Sequence, residues 1–588
     1  MQEPQSPSRG AGRQVFLETF GCQMNELDSE LVRGQLGALG YRFTSDPQSA
    51  DVILFNTCSV REQAENKVLS RVGRVGQRKR RGARVVLGVI GCMAERYGAA
   101  MLTKYPQIDL MCGPGELDKL PLLIDNAVKT GAVEAAEGAR GEAGPSGPLQ
   151  RVALQGNRTR RSATLSAAAD NLELLDLSRS FDPDSGGGGA ARRNRAYVRI
   201  TRGCNKYCTY CVVPYTRGPE VHRPPDRIVE ECRRLADQGV IEITLLGQTV
   251  NHYLYTHGAS ITVGGAEAPQ VGPGASAFAG NGASGGRRTT FADLLRRIHD
   301  EVPGIRRLRF VTSYARDFGD DVLRAMADCR RICRYLHLPA QSGSDRILKL
   351  MNRGYSRSLY VDLIDRARAL LPGVCIAGDI IVGFPTETEA DFELTRDLLR
   401  RVRYKNCFIF KYSPRPGTAA ARRLADDVPE AVKRRRNREL LALQAEIGGE
   451  VHRELVGQEV EVFVEQVSPH QPRRAASQAT GGRGRPGPRV ELGWERPAIQ
   501  MSGRTEGDLI AVFDLHRRTD VHLDAEQPGI PAVGRVLVDH LAHQAAVKNV
   551  SHVAATDDEV VVVPVFLVDE GLSVFSEGLP ILLETCLV

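Results

Sequence analysis

Three apolar runs of strand length each end in a cysteine and are each followed by a segment with helical patterning. Cys22 ends VFLETFGC, Cys58 ends VILFNTC and Cys92 ends VVLGVIGC. Repeated β–α units predict a parallel sheet, in which the residues at the carboxyl ends of the strands line one crevice. The pattern therefore predicts an α/β fold in which these three thiols converge. Each cysteine taken alone is also explained as a buried core residue, and that alternative stays open.

A second group of cysteines stands close together in the middle of the chain. Cys204, Cys208 and Cys211 form a C-x₃-C-x₂-C run, CNKYCTYC, after the β-prone stretch AYVRI and Gly203. Three thiolates at this spacing can hold three corners of a cubane iron–sulfur cluster, and the missing fourth ligand leaves one iron open to an outside molecule. Structural zinc normally takes four protein ligands and is the alternative that stays open. A disulfide cannot pair three thiols.

The run CNKYCTYC resembles the signature of the radical S-adenosylmethionine (SAM) enzymes, in which the amino and carboxylate groups of SAM chelate the open iron. The resemblance implies that Cys204, Cys208 and Cys211 hold a [4Fe–4S] cluster and that SAM is a cofactor. It also implies that Tyr210, the aromatic residue before the third cysteine, lies beside SAM. One electron from the cluster would then cleave SAM to a 5′-deoxyadenosyl radical.

The strand-ending cysteines lie in longer motifs. ETFGCQMNELDSE, ADVILFNTCSVREQAENK and GVIGCMAER resemble the amino-terminal domain of the methylthiotransferases, which hold two [4Fe–4S] clusters. Together with VVPYTRG and HLPAQSGS, they are most similar to the members that modify isopentenylated adenosine in tRNA, from Val15 to about Val538. The resemblance implies a second cluster on Cys22, Cys58 and Cys92 that takes part in sulfur supply. The implied reaction is methylthiolation of N6-isopentenyladenosine next to the anticodon, giving 2-methylthio-N6-isopentenyladenosine.

A chain of 588 residues is too long for a single core and predicts several domains. The element pattern divides it into a methylthiotransferase-like α/β domain (13–130), a flexible linker (131–195) and a radical SAM barrel (196–454). A TRAM-like RNA-binding barrel with an insertion (455–540) and a tail without assignment (541–588) follow. The linker is rich in Gly, Ser and Arg and has little capacity to fold, although LELLDLSRSF within it is a candidate for a short docked element.

Six strand candidates alternate with helical patterns from residue 196 onward: AYVRI, IEITLLG, RRLRFVT, RYLHLP, VCIAGDIIVGF and NCFIFKYS. They predict a partial (βα)₆ barrel, whose catalytic residues lie at the carboxyl ends of the strands. Polar residues near those ends are candidates for binding SAM, and strand-end capping or turn formation is the alternative for each. These candidates are Gln248, Ser313, Gln341, Ser342 and Asp379. A Gly-rich insertion, about 256–288, interrupts the second unit and is expected to be mobile.

The carboxyl-terminal part predicts a small β-barrel. LVGQEVEVFVEQVS, PAIQMSGRTEGDLIAVF and VGRVLVDHL are strand candidates that resemble the TRAM module, an RNA-binding barrel, interrupted by HQPRRAASQATGGRGRPGPR. A Lys/Arg-rich helical segment precedes them, and other basic clusters are scattered along the chain. Each cluster alone is better explained as a solvated surface, but together they suit an enzyme that holds a polyanion.

Composition favours a reducing compartment. The chain has 13 cysteines, an odd number spread along its length, and its opening MQEPQSPSRGAGRQ lacks the apolar region of a secretory signal. No apolar stretch approaches the roughly 20 residues that span a bilayer. We therefore expect a cytoplasmic protein without membrane contact. The resemblance implies a monomer that acts on the anticodon stem-loop of tRNA, with a flavodoxin- or ferredoxin-like electron donor and a sulfur source.

Other functions stay open. Sister enzymes modify threonylcarbamoyl-adenosine in tRNA or an aspartate of a ribosomal protein, but the GCQMN and SVRE motifs favour the isopentenyl substrate. A non-catalytic RNA-binding protein that uses iron–sulfur clusters to sense redox state is a hypothesis of another class. The presence of all six motif cysteines, and of HLPAQSGS, argues against it.

Overall fold

The structure is a computed structural model that describes residues 12–59, 62–140, 150–154, 176, 194–258, 262–263, 266–267, 269–271, 287–455, 458–467, 499–515, 533–537 and 566–568. Within them the chain forms an amino-terminal α/β domain, an open barrel and a carboxyl-terminal antiparallel sheet. None of the described helices is long and apolar enough to cross a lipid bilayer. All 12 described cysteines are free thiols.

The amino-terminal domain is a parallel sheet with helices on both faces. Its strands are β1 (Gln14–Phe20), β2 (Arg42–Phe43), β3 (Val52–Thr57), β4 (Val86–Ile90), β5 (Leu110–Cys112) and β6 (Val152–Ala153). They follow the order β2-β1-β3-β4-β5-β6, and each neighbouring pair is parallel. The helices are α1 (Gln23–Ala38), α2 (Glu62–Arg80), α3 (Cys92–Tyr97), α4 (Ala100–Lys104) and α5 (Leu120–Arg140), with a 3₁₀ turn at Leu117–Lys119.

The strands of this sheet are buried on both faces, as their continuous apolar runs predict. In β3, Val52 and Leu54 pack against α1 and α5, whereas Ile53 and Phe55 pack against α2 and α3. The sheet therefore has one hydrophobic core on each side. The cysteines lie along the row formed by the carboxyl ends of its strands.

The amino-terminal domain extends beyond residue 130, where the linker was expected to begin. The helix α5 continues to Arg140 because GAVEAAEGAR consists largely of good helix formers. The strand β6 then adds a sixth strand beside β5, and two residues are too short to be recognised by alternation. Of the segment 155–193, the structure describes Asp176, which is buried and pairs with Arg199 at the start of the barrel. Asp176 belongs to LELLDLSRSF, the expected docked element.

The barrel contains every strand that the sequence predicts. Its strands are β7 (Arg195–Arg199), β10 (Glu242–Leu246), β16 (Arg307–Val311), β17 (Tyr335–His337), β18 (Cys375–Val382) and β19 (Asn406–Lys411). They form two parallel groups, β16-β10-β7 and β17-β18-β19, joined by a parallel bridge between Leu308 and Ile332. Among the described residues β7 and β19 do not pair with each other, so the barrel is open, as a partial (βα)₆ arrangement requires.

Shorter strands and the helices complete this domain. The strands are β8 (Thr201–Arg202), β9 (Val221–His222), β11 (Leu254–Thr256), β12 (Thr262–Val263), β13 (Ala266–Glu267), β14 (Gln270–Val271) and β15 (Arg288–Thr290). The helices are α6 (Val213–Thr216), α7 (Pro225–Asp237), α8 (Phe291–Glu301), α9 (Asp320–Asp328), α10 (Asp345–Leu350), α11 (Arg357–Leu370), α12 (Glu389–Val402), α13 (Ala419–Arg423) and α14 (Glu430–Arg453), with 3₁₀ turns at Val250–His252 and Ala315–Asp317. Where the Gly-rich insertion is described, it forms short antiparallel pairs: β11 with β15, β12 with β13, and β14 with β9.

The helix α1 of the first domain packs into the barrel. Its residues Met24, Leu27 and Leu31 are buried in one cluster with interior side chains of four barrel strands, which are Leu246, Val311, Tyr335 and Ala377. Because α1 begins directly after Cys22, this packing fixes the cysteine edge of the first domain relative to the barrel.

The carboxyl-terminal domain is an antiparallel sheet. Its strands are β20 (Glu459–Val467), β21 (Ile499–Thr505), β22 (Ile510–Leu515), β23 (Val533–Leu537) and β24 (Phe566–Val568), in the order β23-β20-β21-β22-β24. The three predicted strand regions are present, and β24 comes from the tail that had no assignment. The insertion HQPRRAASQATGGRGRPGPR lies outside the described residues. Arg307 and Arg309 of the barrel donate to the Thr505 carbonyl at 2.6 and 2.7 Å, which docks the β21–β22 turn at the amino ends of the barrel strands.

Candidate active site between two sets of cysteines

Cys22, Cys58 and Cys92 lie at the carboxyl ends of three neighbouring strands. Cys22 follows β1 and precedes α1, Cys58 follows β3, and Cys92 begins α3 after β4. Because β1, β3 and β4 are adjacent, these ends meet at one edge of the sheet. The Cys58 thiol hydrogen-bonds to the sulfur of Cys22, and Cys92 is close enough to Cys22 for their charges to interact. The structure therefore brings together the three thiols that the sequence groups.

Two buried asparagines and a glycine hold these strand ends together. The Asn25 amide donates to Oδ1 of Asn56 at 3.0 Å, and the Asn56 amide donates to the Asn25 carbonyl at 2.7 Å. The Cys22 thiol donates to Asn25 Oδ1 at 3.3 Å. Gly91, which precedes Cys92, has a φ of +88°, and a Cβ there would lie 2.4 Å from Asn56 Oδ1. The Asn56 side chain approaches the backbone of residue 91 this closely because that residue has no side chain.

Arg217 reaches this edge from the barrel. Its guanidinium pairs with Asp28 of α1 at 2.7 Å, and both side chains are 6% exposed. It also hydrogen-bonds to Cys92. The hydrogen bond from Cys58, helped by the charge of Arg217, lowers the pKa of Cys22 to about 6, whereas burial raises the pKa of Cys92. A basic residue of the second domain thus stabilises thiolates of the first, which is the form that binds metals.

Cys204, Cys208 and Cys211 occupy the loop after β7 and β8. Gly203, with a φ of +73°, turns the chain into this loop, and a Cβ there would lie 2.0 Å from the Pro219 carbonyl oxygen. Burial raises the pKa of Cys204 to about 12 and also raises that of Cys211, and in both cases the charge of Cys208 adds to the effect. The three sulfurs are therefore mutually close, and deprotonating all of them requires compensating positive charge, such as that of bound iron.

Tyr210 belongs to this loop, between Cys208 and Cys211, and its contact with SAM stays a prediction. Its hydroxyl accepts a hydrogen bond from Arg353 at 3.4 Å, and the same nitrogen donates to the sulfur of Cys208 at 3.4 Å. Burial raises the pKa of Tyr210, so the phenol stays neutral. The ring packs against the barrel core on one side and against the cluster that contains Phe384 and Tyr412 on the other.

A short segment links the two cysteine sets. The helix α6 begins two residues after Cys211 and contacts α3, whose first residue is Cys92. Arg217 follows directly after α6 and reaches Cys92 and Asp28. The two sets therefore face each other across the boundary between the first domain and the barrel.

Three of the predicted SAM contacts carry buried polar atoms that have no hydrogen-bond partner among the described residues. These atoms are Gln248 Oε1, Ser313 Oγ and Asp379 Oδ2. Gln248 follows β10, Ser313 follows β16, and Asp379 lies within β18, so three different barrel strands supply them. Because a buried polar atom without a partner is costly, these atoms mark a place for a polar ligand. Two acceptor oxygens and a hydroxyl can pair with amino and hydroxyl groups of a ligand, and contact with SAM stays a prediction for these three residues.

The other two predicted contacts already have partners in the turn after β17. Gln341 has a φ of +73°, and its backbone exchanges hydrogen bonds with Asp379 and Ile381 at 2.8 and 2.9 Å. The Ser342 hydroxyl accepts from the backbone N–H of Ser344 at 3.2 Å. Backbone pairing with β18 accounts for Gln341 and turn formation for Ser342, and contact with SAM stays a prediction for both.

The geometry of the cysteine sets bears on the choice between iron–sulfur and zinc. No group of three or more His, Cys, Asp or Glu side chains in the described part of the chain is arranged to hold a single metal ion. A cubane cluster binds each cysteine through a different iron, so its ligands stand farther apart than those of one ion. Three cysteines match the protein ligands of a cluster with one open iron, whereas a structural zinc ion normally takes four protein ligands.

The residues around the cysteines were not identified by sequence patterns. Asn25 and Asn56 lie within the quoted motifs GCQMN and FNTC, and Arg217 lies within VVPYTRG, but their roles depend on contacts between distant segments. Arg353, in MNRGYS, carried no signal at all. Buried arginines beside thiols become recognisable when the fold places them together.

The chain matches known families over both domains. Residues 14–113 match the family described as uncharacterized protein family UPF0004, and residues 198–399 match the radical SAM superfamily. The tRNA-2-methylthio-N(6)-dimethylallyladenosine synthase of Rhodopirellula baltica is 39% identical over 504 residues, which cover 86% of this chain and 90% of that protein. The protein of the same name from Chromobacterium violaceum is 39% identical over 457 residues, covering 78% and 88%. Among solved structures, the radical SAM methyltransferase TsrM from Kitasatospora setae is 14% identical with a TM-score of 0.45, covering 70% of this chain and 75% of TsrM.

These findings define the class of the protein first. An open βα barrel with a three-cysteine loop and a match to the radical SAM superfamily makes the chain a radical SAM enzyme. It belongs to the family of the tRNA-2-methylthio-N(6)-dimethylallyladenosine synthases, which are methylthiotransferases. The predictions of family, of enzyme class and of [4Fe–4S] and SAM as cofactors are confirmed.

Proposed function

We propose that the chain adds a methylthio group to carbon 2 of N6-isopentenyladenosine next to the anticodon of tRNA. Family membership supports the reaction, and one structural observation carries the assignment of residues: the two sets of three cysteines face each other across a domain boundary, linked by α6 and Arg217. A reaction that forms two carbon–sulfur bonds at one sulfur, one to carbon 2 of the base and one to the methyl group, needs its SAM site and its sulfur source close together. This arrangement supplies both at one place.

The two cysteine sets take different roles in this proposal. Cys204, Cys208 and Cys211 hold the cluster that binds SAM, and Gln248, Ser313 and Asp379 offer it their unpaired polar atoms. When bound, the cluster and SAM supply the one-electron chemistry that activates an unreactive carbon. The set on the first domain, Cys22, Cys58 and Cys92, holds the cluster that takes part in sulfur supply. The protein positions both sites and keeps them away from water.

The choice of base rests on family membership, and the chemistry of the two bases says what it requires. An isopentenyl group is an apolar five-carbon tail, whereas a threonylcarbamoyl group carries a carboxylate. A pocket suited to one penalises the other, because a buried polar or charged group is left unpaired.

The partners complete the proposal. The carboxyl-terminal sheet acts as a TRAM-like module that contacts the tRNA backbone, and the adenosine reaches the barrel from the single-stranded anticodon loop at a cost of a few kcal/mol. A flavodoxin- or ferredoxin-like protein delivers electrons, a separate sulfur source restores the first-domain cluster, and the chain acts as a cytoplasmic monomer. The relatives' names, which refer to tRNA, support the nucleic-acid partner.

Alanine variants of each cysteine set test the assignment. Replacing Cys204, Cys208 and Cys211 should abolish SAM cleavage and remove about half of the iron. Replacing Cys22, Cys58 and Cys92 should remove a similar share, leave SAM cleavage measurable and eliminate the methylthio product. Cys112 is a matched control: it ends the next strand of the same sheet, but its thiol donates to the Glu116 carbonyl at 3.1 Å. Cys112→Ala should keep both clusters.

The same proteins test the substrate. Anaerobic enzyme with SAM, reductant and sulfide is given tRNA carrying either isopentenyladenosine or threonylcarbamoyl-adenosine, and the nucleosides are measured by mass spectrometry. The isopentenyl base should be converted and the threonylcarbamoyl base left nearly unchanged. Preference for the second base would assign the chain to the sister reaction. Absence of SAM cleavage by the reduced wild-type protein would favour a redox sensor.

A further inference from the structure

Arg353 is a buried cation without a carboxylate partner in the described part of the chain. Its side chain is 6% exposed. Nε donates to the Tyr355 hydroxyl at 2.9 Å, Nη2 to the Pro339 carbonyl at 2.8 Å, and Nη1 to the sulfur of Cys208 at 3.4 Å. The guanidinium lies 4.7 Å from the centre of the Tyr314 ring and 5.3 Å from that of Tyr355.

The surroundings of Arg353 identify the missing anion. An unpaired buried charge is strongly unfavourable, and neutral hydroxyl and carbonyl acceptors compensate it only partly. Cys208 is the group in contact with Arg353 that becomes negative when iron is bound, because thiolates are the ligands of iron–sulfur clusters. The charge of the guanidinium is therefore matched once the cluster is in place.

We propose that Arg353 is the counter-ion of the barrel cluster and raises the potential at which that cluster accepts an electron. The proposal rests on the assignment of Cys204, Cys208 and Cys211 as cluster ligands. The step is a one-electron reduction, [4Fe–4S]²⁺ to [4Fe–4S]⁺, by an external low-potential donor such as dithionite or a reduced flavodoxin, and no bond forms or breaks. Since reduction adds one negative charge, an adjacent cation and an N–H···S hydrogen bond stabilise the reduced state.

The rings around Arg353 increase this effect. Tyr314 and Tyr355 are 5% and 8% exposed, and they cover the guanidinium from two sides. Because they exclude water, the charge is screened less than at the surface. Arg316 provides the comparison: it lies 5.5 Å from the same Tyr314 ring, but its side chain is 31% exposed and pairs with Asp317 at 2.8 Å.

The first test measures the potential. The full-length chain carries Cys22→Ala, Cys58→Ala and Cys92→Ala, so that the barrel cluster gives the only EPR signal of a reduced cluster. In a redox titration, Arg353→Gln should lower the ratio of reduced to oxidised cluster about tenfold at a fixed solution potential, equivalent to about 59 mV for one electron. Arg353→Lys keeps the charge without the forked donors and should give an intermediate ratio. Arg316→Gln should lower the ratio much less than Arg353→Gln, because the charge of Arg316 also reaches Cys208 but is partly exposed and paired with Asp317. Equal potentials for Arg353→Gln and Arg316→Gln would overturn the proposal.

The second test needs no substitution at Arg353 and decides the matter if Arg353→Gln does not fold. The same parent protein is labelled with ¹⁵N-arginine, reduced and examined by pulsed EPR. A ¹⁵N hyperfine coupling to the reduced cluster is expected from the Nη1 that contacts Cys208. A reduced cluster without any arginine coupling would contradict the proposal. Absence of the cluster from the parent itself would instead refute the ligand assignment under the proposed function.

Discussion

Two glycines flank the short helix α3 and share an unusual backbone conformation. Gly91 has φ and ψ of +88° and −158°, and Gly98 has +63° and −167°. This region of φ and ψ is essentially restricted to glycine. Their surroundings differ: a Cβ at Gly98 would meet nothing within 4 Å, whereas one at Gly91 would lie 2.4 Å from Asn56 Oδ1 and 3.0 Å from the Thr57 carbonyl. Alanine variants at the two glycines therefore separate the effect of backbone strain, which both share, from the effect of crowding beside the cysteines, which occurs at residue 91.

Alanine at either glycine should cost about 1–3 kcal/mol of stability through backbone strain. Gly91→Ala should in addition push Asn56 away from Asn25 and displace Cys92, so the protein should lose the iron of the first-domain cluster. Gly98→Ala should keep that iron. Iron per chain and the thermal midpoint check both statements. Equal iron loss in the two variants would mean that crowding at residue 91 is unimportant.

At the scale of elements, two helices begin with the same capping arrangement in different surroundings. Thr290 and Asp293 form a capping box at the start of α8, where Asp293 is exposed, and Thr388 and Asp391 form one at the start of α12, where Asp391 is buried. Asp391 also accepts a hydrogen bond from the Ser344 hydroxyl at 2.6 Å. That bond attaches the turn containing AQSGS to α12. The turn therefore takes its position from a helix cap.

Asp293→Ala should cost about 1 kcal/mol, the usual value of a cap. Asp391→Ala should cost about 1–3 kcal/mol more because it leaves the buried Ser344 hydroxyl without its partner. Burial opposes ionisation of Asp391, but hydrogen bonds from Arg346, Ser344 and Thr388 hold its pKa below the usual value. A lowered pKa means that this stabilisation is present above the normal Asp pKa of about 3.9 and is lost as the pH falls below it.

Thermal unfolding at neutral and acid pH measures this difference. The difference in thermal midpoint between wild type and Asp391→Ala should be largest at pH 7 and should become smaller below about pH 4. SAM cleavage should fall in Asp391→Ala, because the turn is released, and should be kept in Asp293→Ala. A difference in thermal midpoint that becomes larger at acid pH would contradict the conclusion that the ionised form of Asp391 is the stabilising one.

The elements were largely predictable, and the reasons for the exceptions are physical. The strands that end at the cysteines and the six barrel strands follow from apolar runs of strand length. The continuation of α5 and the two-residue strand β6 were missed, since alternation cannot identify an edge strand so short. In the site, the spacing of the cysteines indicated the clusters. Arg217 and Arg353 could not be predicted, because each meets a sulfur through folding of distant segments.

At the scale of the whole molecule, both flanking domains insert a piece of chain into the barrel. The first domain contributes α1, and the carboxyl-terminal sheet contributes the β21–β22 turn. Arg307 donates to the carbonyls of Arg504 and Thr505 at 2.8 and 2.6 Å, and Lys405 pairs with Asp508 at 3.5 Å. The carboxyl-terminal sheet is thus part of the barrel's structure as well as the proposed contact surface for tRNA.

Two truncations separate these roles. A chain that ends at Leu455 loses the turn, so Arg307, Arg309 and Lys405 lose buried partners, and the thermal midpoint of the barrel should fall. A chain that ends at Leu515 keeps the turn and should keep most of that midpoint. Both should bind tRNA more weakly with a flatter salt dependence, because fewer phosphate contacts release fewer counterions. The thermal midpoint is measured by following the absorbance of the clusters during unfolding. The salt dependence is measured by tRNA binding at several salt concentrations. An unchanged midpoint in the shorter chain would show that the docked turn adds nothing to the barrel's stability, and an unchanged salt slope would remove the sheet from the tRNA contact.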